Sequence, residues 1–358
     1  MLQIKNILGG GGNPEGSYVW KKYEYTIDPY LSFLGNEEFT LKTYNTTKNW
    51  NGILEYSTDT TTWNTWNGTE ISSSGKKLYL RGTGNTKITG SSENYKFVFT
   101  GADTLRIACE GNIENLLDYE TVTTGGHPTM ASYCFSKMFY GCTSLTTAPE
   151  LSATTLKNYC YNNMFQGCTS LTTAPKLPAT TLAAWCYSNM FSGCTSLITA
   201  PELPAITLTE RCYGYMFSGC TSLTTVPELP ATTLSLWCYS NMFKGCTSLI
   251  TVPKLPATTL NNYCYSNMFY GCTSLTTVPE LPATTLNDFC YNKMFSGCTN
   301  IKLSSTQTGE YQTAYRIPTS DTGTTGNNSL ANMFANTGGT FTGTPTINTT
   351  YYTSNTVV

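Results

Sequence analysis

Between Tyr133 and Cys298 a 26-residue unit recurs seven times without insertion or deletion. Its first cysteine falls at Cys134, Cys160, Cys186, Cys212, Cys238, Cys264 and Cys290, and its second eight residues later, from Cys142 to Cys298. Spacing this strict belongs to architectures in which each unit stacks on its neighbour and none can bury its apolar face alone.

One unit can be read residue by residue. Cys186, Met190, Phe191 and Cys194 stand at relative positions 0, 4, 5 and 8, a spacing that predicts a short helix with these residues on one side. Gly193 suits the helix exit. Pro201 and Pro204 then enforce an extended path, with Leu197, Ala200, Leu203 and Leu208 as its apolar contributions. A helix of two or three turns is marginal alone, so its stability must come from stacking. Met138, Met164 and Met190 would form one column, and Phe139, Phe165 and Phe191 another. The fold class expected is an α/β solenoid, a stack of seven 26-residue rungs, preceded by a small β-sandwich domain.

The fifteen cysteines raise disulfides and metal as alternatives to plain thiols. Two cysteines eight apart on a helix are separated by roughly 12 Å, whereas a disulfide brings Cα atoms within about 7 Å. The chain has one histidine, His127. Buried free thiols acting as small hydrophobes are the favoured reading. No metal or cofactor is expected.

Twenty basic against 22 acidic residues, with only 12% charged, leave no basic stripe for nucleic acid. No apolar run reaches the length of a membrane span. The opening MLQIKNILGGGGNPEG lacks the apolar stretch of a secretory signal.

In chain order, residues 1–30 read as an attachment or assembly segment, with four glycines as a joint and alternation in SYVWKKYEY. Residues 31–125 read as the β-sandwich-like domain, with strands predicted at 38–44, 52–57, 76–82, 95–101 and 104–109. Trp63 and Trp66 flank a polar loop there, placed either to stack on sugar rings or to close the sandwich core. The stack occupies 126–306, with Ile113, Leu116 and Leu117 covering its first rung. Residues 307–358 read as a degenerate terminal rung and cap, in which Met333 and Phe334 take the matching places.

The unit MFSGCTSL followed by LPATTL resembles the leucine-rich repeats of the BspA-like surface proteins, in the 26-residue form found in gut Bacteroides-type bacteria and their phages. Phe191, Cys194 and Leu197 match that family's core pattern. The resemblance implies a surface adhesin or a phage tail component and brings no catalytic residues. The absence of a visible signal, lipobox or wall anchor shifts the expected location from cell surface toward virion.

The varying positions of the unit would face a partner. The residue before the first cysteine reads Tyr133, Tyr159, Trp185, Arg211, Trp237, Tyr263, Phe289, and the one after it Phe135 and then six tyrosines. Two residues apart on a helix do not share a face, so at least one column lies outward or half-buried, for binding or for packing between rungs. The stripe Glu150, Lys176, Glu202, Glu228, Lys254, Glu280 reads as solvated surface. The candidate ligand-binding residues are Trp63, Trp66, Tyr159, Trp185, Arg211, Trp237 and Tyr263, with no catalytic or metal-binding residues. The function expected is non-enzymatic adhesion or recognition of a host or bacterial surface glycan or protein, in a virion or at an extracellular or cell surface. Assembly through the N-terminal segment, as a homo-oligomer or in a virion, is the second partnership expected. A bacterial surface adhesin, a glycan-degrading tail enzyme and an ice-binding face carrying Thr172, Thr173, Thr224 and Thr225 are the alternatives.

Overall fold

The computed structural model describes residues 28–320 and 322–358. The expected attachment segment, apart from its last three residues, lies outside them. In chain order the first strands are β1 (Leu31–Gly35), β2 (Thr40–Thr43), β3 (Ile53–Ser57), β4 (Asn64–Thr65), β5 (Ile71–Ser72), β6 (Lys77–Thr83), β7 (Phe97–Thr100) and β8 (Ile107–Glu110). Helix α1 (Asn115–Thr123) and strand β9 (Leu145–Thr147) follow. Alternation along β6 buries Leu78 and Leu80 and leaves Tyr79 and Arg81 half-exposed, as period-two side-chain placement requires. Six strands form one sheet in the order β4-β3-β6-β1-β8-β9, and three form another, β5-β2-β7. Phe33 on β1 meets Phe99 on β7 at 5.1 Å, and Trp66 meets Phe97 at 5.4 Å, joining the two sheets.

Helix α1 lies against β6 so closely that a Cβ on Gly82 would collide with the Leu116 carbonyl oxygen. Only glycine permits that approach. Asn85 fastens the contact, donating from Nδ2 to the same carbonyl at 3.1 Å.

The 26-residue units contain no α-helix. In the third unit, Trp185, Asn189 and Gly193 have φ of 60°, 56° and 74°. A left-handed residue at every fourth position cannot belong to an α-helix. The chain instead makes successive tight turns. Ser188, Met190, Ser192 and Cys194 donate their N–H groups to carbonyls three residues back, on Trp185, Tyr187, Asn189 and Phe191. The alternate residues donate to the next unit: Trp185 to Glu210, Tyr187 to Cys212, Asn189 to Gly214, Phe191 to Met216 and Gly193 to Ser218, at 2.8–3.1 Å. Every N–H from 185 to 194 that bonds in this way has an assigned acceptor, so the backbone is satisfied without helix or continuous sheet.

This overturns the expected α/β solenoid of helix-and-strand rungs. Strands are short and gathered in small discrete sheets, and α1 is the only α-helix among the described residues. The physical reason is that a chain turning back every four residues gives nearly the same apolar spacing as a 3.6-residue helix. Nor does a self-contained sandwich precede the units. The six-stranded sheet takes its edge strand β9 from residues 145–147, paired parallel to β8.

The columns form in this different backbone. Met and Phe at the fourth and fifth positions are fully buried, and successive Phe rings stack at 5.6–5.7 Å. Backbone from the sheets covers the first unit: Ile88 donates to Cys134 and Phe97 to Met138. At the far end the strands are β10 (Thr277–Val278), β11 (Thr285–Leu286), β12 (Leu303–Ser304), β13 (Thr313–Arg316), β14 (Thr324–Thr325), β15 (Thr350–Thr353) and β16 (Thr356–Val357). Residues 329–335 accept the last unit's N–H groups, with Phe295 donating to Met333 and the Phe295 and Phe334 rings stacked at 5.6 Å. Strand β15 pairs with β12 and β13, and β16 pairs with β10.

Candidate functional site

The turn geometry separates the two aromatic columns. The residue after each first cysteine, Phe135 or one of Tyr161, Tyr187, Tyr213, Tyr239, Tyr265 and Tyr291, is buried to 1% exposure or less. These rings stack at 5.7–5.9 Å. Burial pushes the Tyr161 and Tyr187 hydroxyls well above the ordinary phenol range. That column is core.

The residue before each first cysteine is half-buried in all seven units. It has a φ between 49° and 61° throughout, an uncommon conformation for bulky side chains. The interunit hydrogen bond from its own N–H holds it there, as from Trp185 to Glu210 and from Arg211 to Leu236. Tyr133 stacks on Tyr159 at 4.5 Å, and Tyr159 on Trp185 at 5.5 Å. The Arg211 guanidinium then lies between two indoles, 4.3 Å from the Trp185 ring centroid and 3.3 Å from that of Trp237. Beyond it the stacking changes. Trp237 meets Tyr263 at 5.1 Å with the rings 82° apart, and parallel stacking resumes between Tyr263 and Phe289 at 4.6 Å. The structure therefore brings Tyr159, Trp185, Arg211, Trp237 and Tyr263 into one contiguous surface.

Trp63 and Trp66 part company with that surface and with each other. Trp66 is 1% exposed, stacks on Trp50 at 5.2 Å and donates from Nε1 to the Thr69 carbonyl at 2.7 Å. It closes the core between the sheets, and its burial removes it from ligand contact. Trp63 is half-buried under the Arg81 guanidinium at 4.1 Å, while Arg81 Nε donates to Glu55 at 2.8 Å.

A groove of about 320 Å³ opens beside the aromatic column, lined from Arg211 to Asn292 across four units. Gly214, Tyr215, Asn241 and Asn267 contribute to it without having been marked by the sequence reading. A signal for Gly214 was present, because its counterparts are Ser136, Asn162, Ser188, Ser240, Ser266 and Asn292. Those side chains donate to the next unit's backbone, for example Ser188 Oγ to Gly214 at 3.2 Å and Ser240 Oγ to Ser266 at 3.3 Å. At Gly214 that side-chain ladder stops.

A second polar cluster lies at the junction with the first unit. Glu114 is buried, and its Oε2 accepts from Ser152 Oγ at 2.7 Å and from His127 Nδ1 at 2.8 Å. Serine and histidine both point at the carboxylate rather than at each other. The arrangement clamps chain segments together and provides no activated nucleophile, which needs a base on the serine itself. The fifteen cysteines are buried and unbridged.

Residues 127–250 and 213–313 match the family model described as the BspA type leucine rich repeat region, six copies, and together span just over half of the chain. No curated protein and no solved structure matches it.

Proposed function

Because the chain belongs to the BspA-type leucine-rich-repeat family through residues 127–313, we propose that it is a non-enzymatic recognition module. In this reading its half-buried aromatic column binds a surface glycan or protein, and the chain works in a virion tail or at a cell surface. The observation that carries the reading is the contrast between the two columns. Rings that fill the interior are covered completely, whereas the neighbouring column keeps Tyr159, Trp185, Trp237 and Tyr263 partly open around a cation. Tyr, Trp and Arg give large, rigid contact area at low entropic cost and dominate binding hot spots. Their identities vary from unit to unit while the core residues do not, which is how a stacked scaffold carries a specific surface.

The test is a glycan-array and host-cell binding screen with the full chain. Saturable binding that Trp185→Ala weakens about 10-fold or more, roughly 1.4 kcal/mol, supports the reading. Undiminished binding by that variant sinks it.

A further inference from the structure

The groove at Gly214 departs from the regularity of the stack in four ways at one place. The side-chain ladder that ties each unit to the next is missing there, since Gly214 cannot donate to the Ser240 carbonyl as its counterparts donate to theirs. The parallel ring stacking is broken between Trp237 and Tyr263. A cation occupies the aromatic column; its chain neighbour Glu210 acts on it electrostatically, but among the described residues Arg211 closes no salt bridge. Finally, Arg211 Nε and Trp237 Nε1 are buried donors with no acceptor. Both nitrogens are covered by the stack itself, and buried donors are almost always paired, so their lack of an acceptor marks the same break in the regular packing, while the open groove beside them is lined by Gly214, Asn241 and Asn267.

Gly214 is not required by backbone geometry. Its φ lies outside the left-handed region, and a Cβ there would meet nothing nearer than 3.5 Å. A serine would fit and would regain the hydrogen bond its counterparts make. The glycine thus forgoes an interaction and keeps the groove open.

We propose that this groove is a subsite for a carboxylate-bearing sugar residue, a uronic or sialic acid, with its carboxylate on Arg211 and its ring against the aromatic wall of Trp237, Tyr263 and Phe289. The inference rests on the recognition reading above and deepens it. A guanidinium fork matches a planar carboxylate, and aromatic faces suit the apolar face of a sugar ring. The volume of about 320 Å³ falls in the range of small-ligand sites, about 300–1,000 Å³. Asn241 and Asn267 bring amide groups to the same groove, oriented by their own donations to Ser240 Oγ and Ser266 Oγ at 2.8 and 2.9 Å.

The experiment is a titration of the full chain, followed by tryptophan fluorescence and ligand-observed NMR. The probes are the methyl glycosides of glucuronic acid, N-acetylneuraminic acid and glucose, with methyl glucoside 6-sulfate as a further arm. At least one acidic sugar is expected to bind 10-fold or more tightly than methyl glucoside, and to weaken as salt rises. Gly214→Ser should reduce that binding 10-fold or more while its melting temperature stays the same or rises. Arg211→Gln should abolish the preference for acid over neutral sugar. Equal binding of acidic and neutral sugars, preference for the sulfate ester, or indifference to Gly214→Ser overturns the assignment. If array binding is sensitive to Trp185→Ala but not to Gly214→Ser, the column reading stands and this subsite falls. If neither glycan nor host cell binds any form of the chain, the broader reading fails and the subsite with it.

Discussion

Cys194 Sγ donates a hydrogen bond to the carbonyl oxygen of Phe165, 3.1 Å away in the preceding unit. The same pairing joins Cys168 to Phe139, Cys220 to Phe191, Cys246 to Phe217, Cys272 to Phe243 and Cys298 to Phe269, at 3.0–3.1 Å. From the second unit onward the second cysteine is therefore both a small apolar filler and a fastener between units, whereas Cys142 of the first pairs locally with Ser144 Oγ. That dual role explains a thiol at this position better than redox or metal chemistry does.

Since every thiol is buried, a thiol-reactive dye should leave the native chain unlabelled over hours and label all fifteen cysteines on denaturation. Rapid labelling of several cysteines under native conditions would contradict the buried columns. Cys194→Ala, which removes the donor and opens a small cavity, is expected to cost about 1–2 kcal/mol in denaturant unfolding.

Alkali should unfold the chain progressively. Burial raises the thiols of Cys160, Cys212, Cys264 and Cys272 from an ordinary value of 9.0 to about 12. Above pH 9 the unfolded chain loses these protons while the folded chain keeps them. The stability present below pH 9 is then lost as pH rises toward about 12. Urea midpoints between pH 8 and 11 test this, and a flat profile would refute it.

The left-handed positions within each unit make a separate prediction. Asn189 has φ of 56°, and its counterparts Asn163, Asn241 and Asn267 are also asparagine, a residue that tolerates this conformation. Asn189→Val should destabilise by about 1–2 kcal/mol, whereas Asn189→Gly should be close to neutral. Both variants lose the side-chain bond to Ser188 Oγ, so the difference between their denaturant midpoints isolates the backbone term.

Gly82→Ala should be severe, because no space exists between β6 and the Leu116 carbonyl. A loss of about 3 kcal/mol is expected from overpacking of this kind, visible as a lowered melting temperature. An unchanged melt would show that α1 does not lie on β6 as described.

Much of the interior was legible from spacing. Met190, Phe191 and Cys194 were assigned inward from their period, and they are buried. Met333 and Phe334 were matched to them across a gap, and both are buried in line with the stack. The backbone was not legible in the same way, because a four-residue turn and a 3.6-residue helix give the same inward positions over two turns. The distinguishing signal was the recurrence of Asn at 163, 189, 241 and 267 four residues before a glycine. Strands β2, β3, β6, β7 and β8 lie within the predicted segments or at their ends, whereas β1, central to its sheet, was missed because LSFLG carries little alternation. At the site, the spacing identified both aromatic columns but could not tell which was outward, since that depends on the turn geometry. Trp66 was ambiguous for a related reason: a tryptophan on a polar loop reads the same whether its ring turns in or out. Gly214 was visible only as the one departure among seven aligned units.

The most direct test of recognition by the half-buried column is a side-by-side binding screen on glycan arrays and host cells. The full chain would be compared with Trp185→Ala, Trp237→Ala and Ile206→Ser, the last at a residue 68% exposed and outside the column. The account predicts that both tryptophan variants lose 10-fold or more in affinity while keeping their melting temperature, and that Ile206→Ser binds as the parent does. Binding retained undiminished by the tryptophan variants would contradict it, whatever Ile206→Ser does.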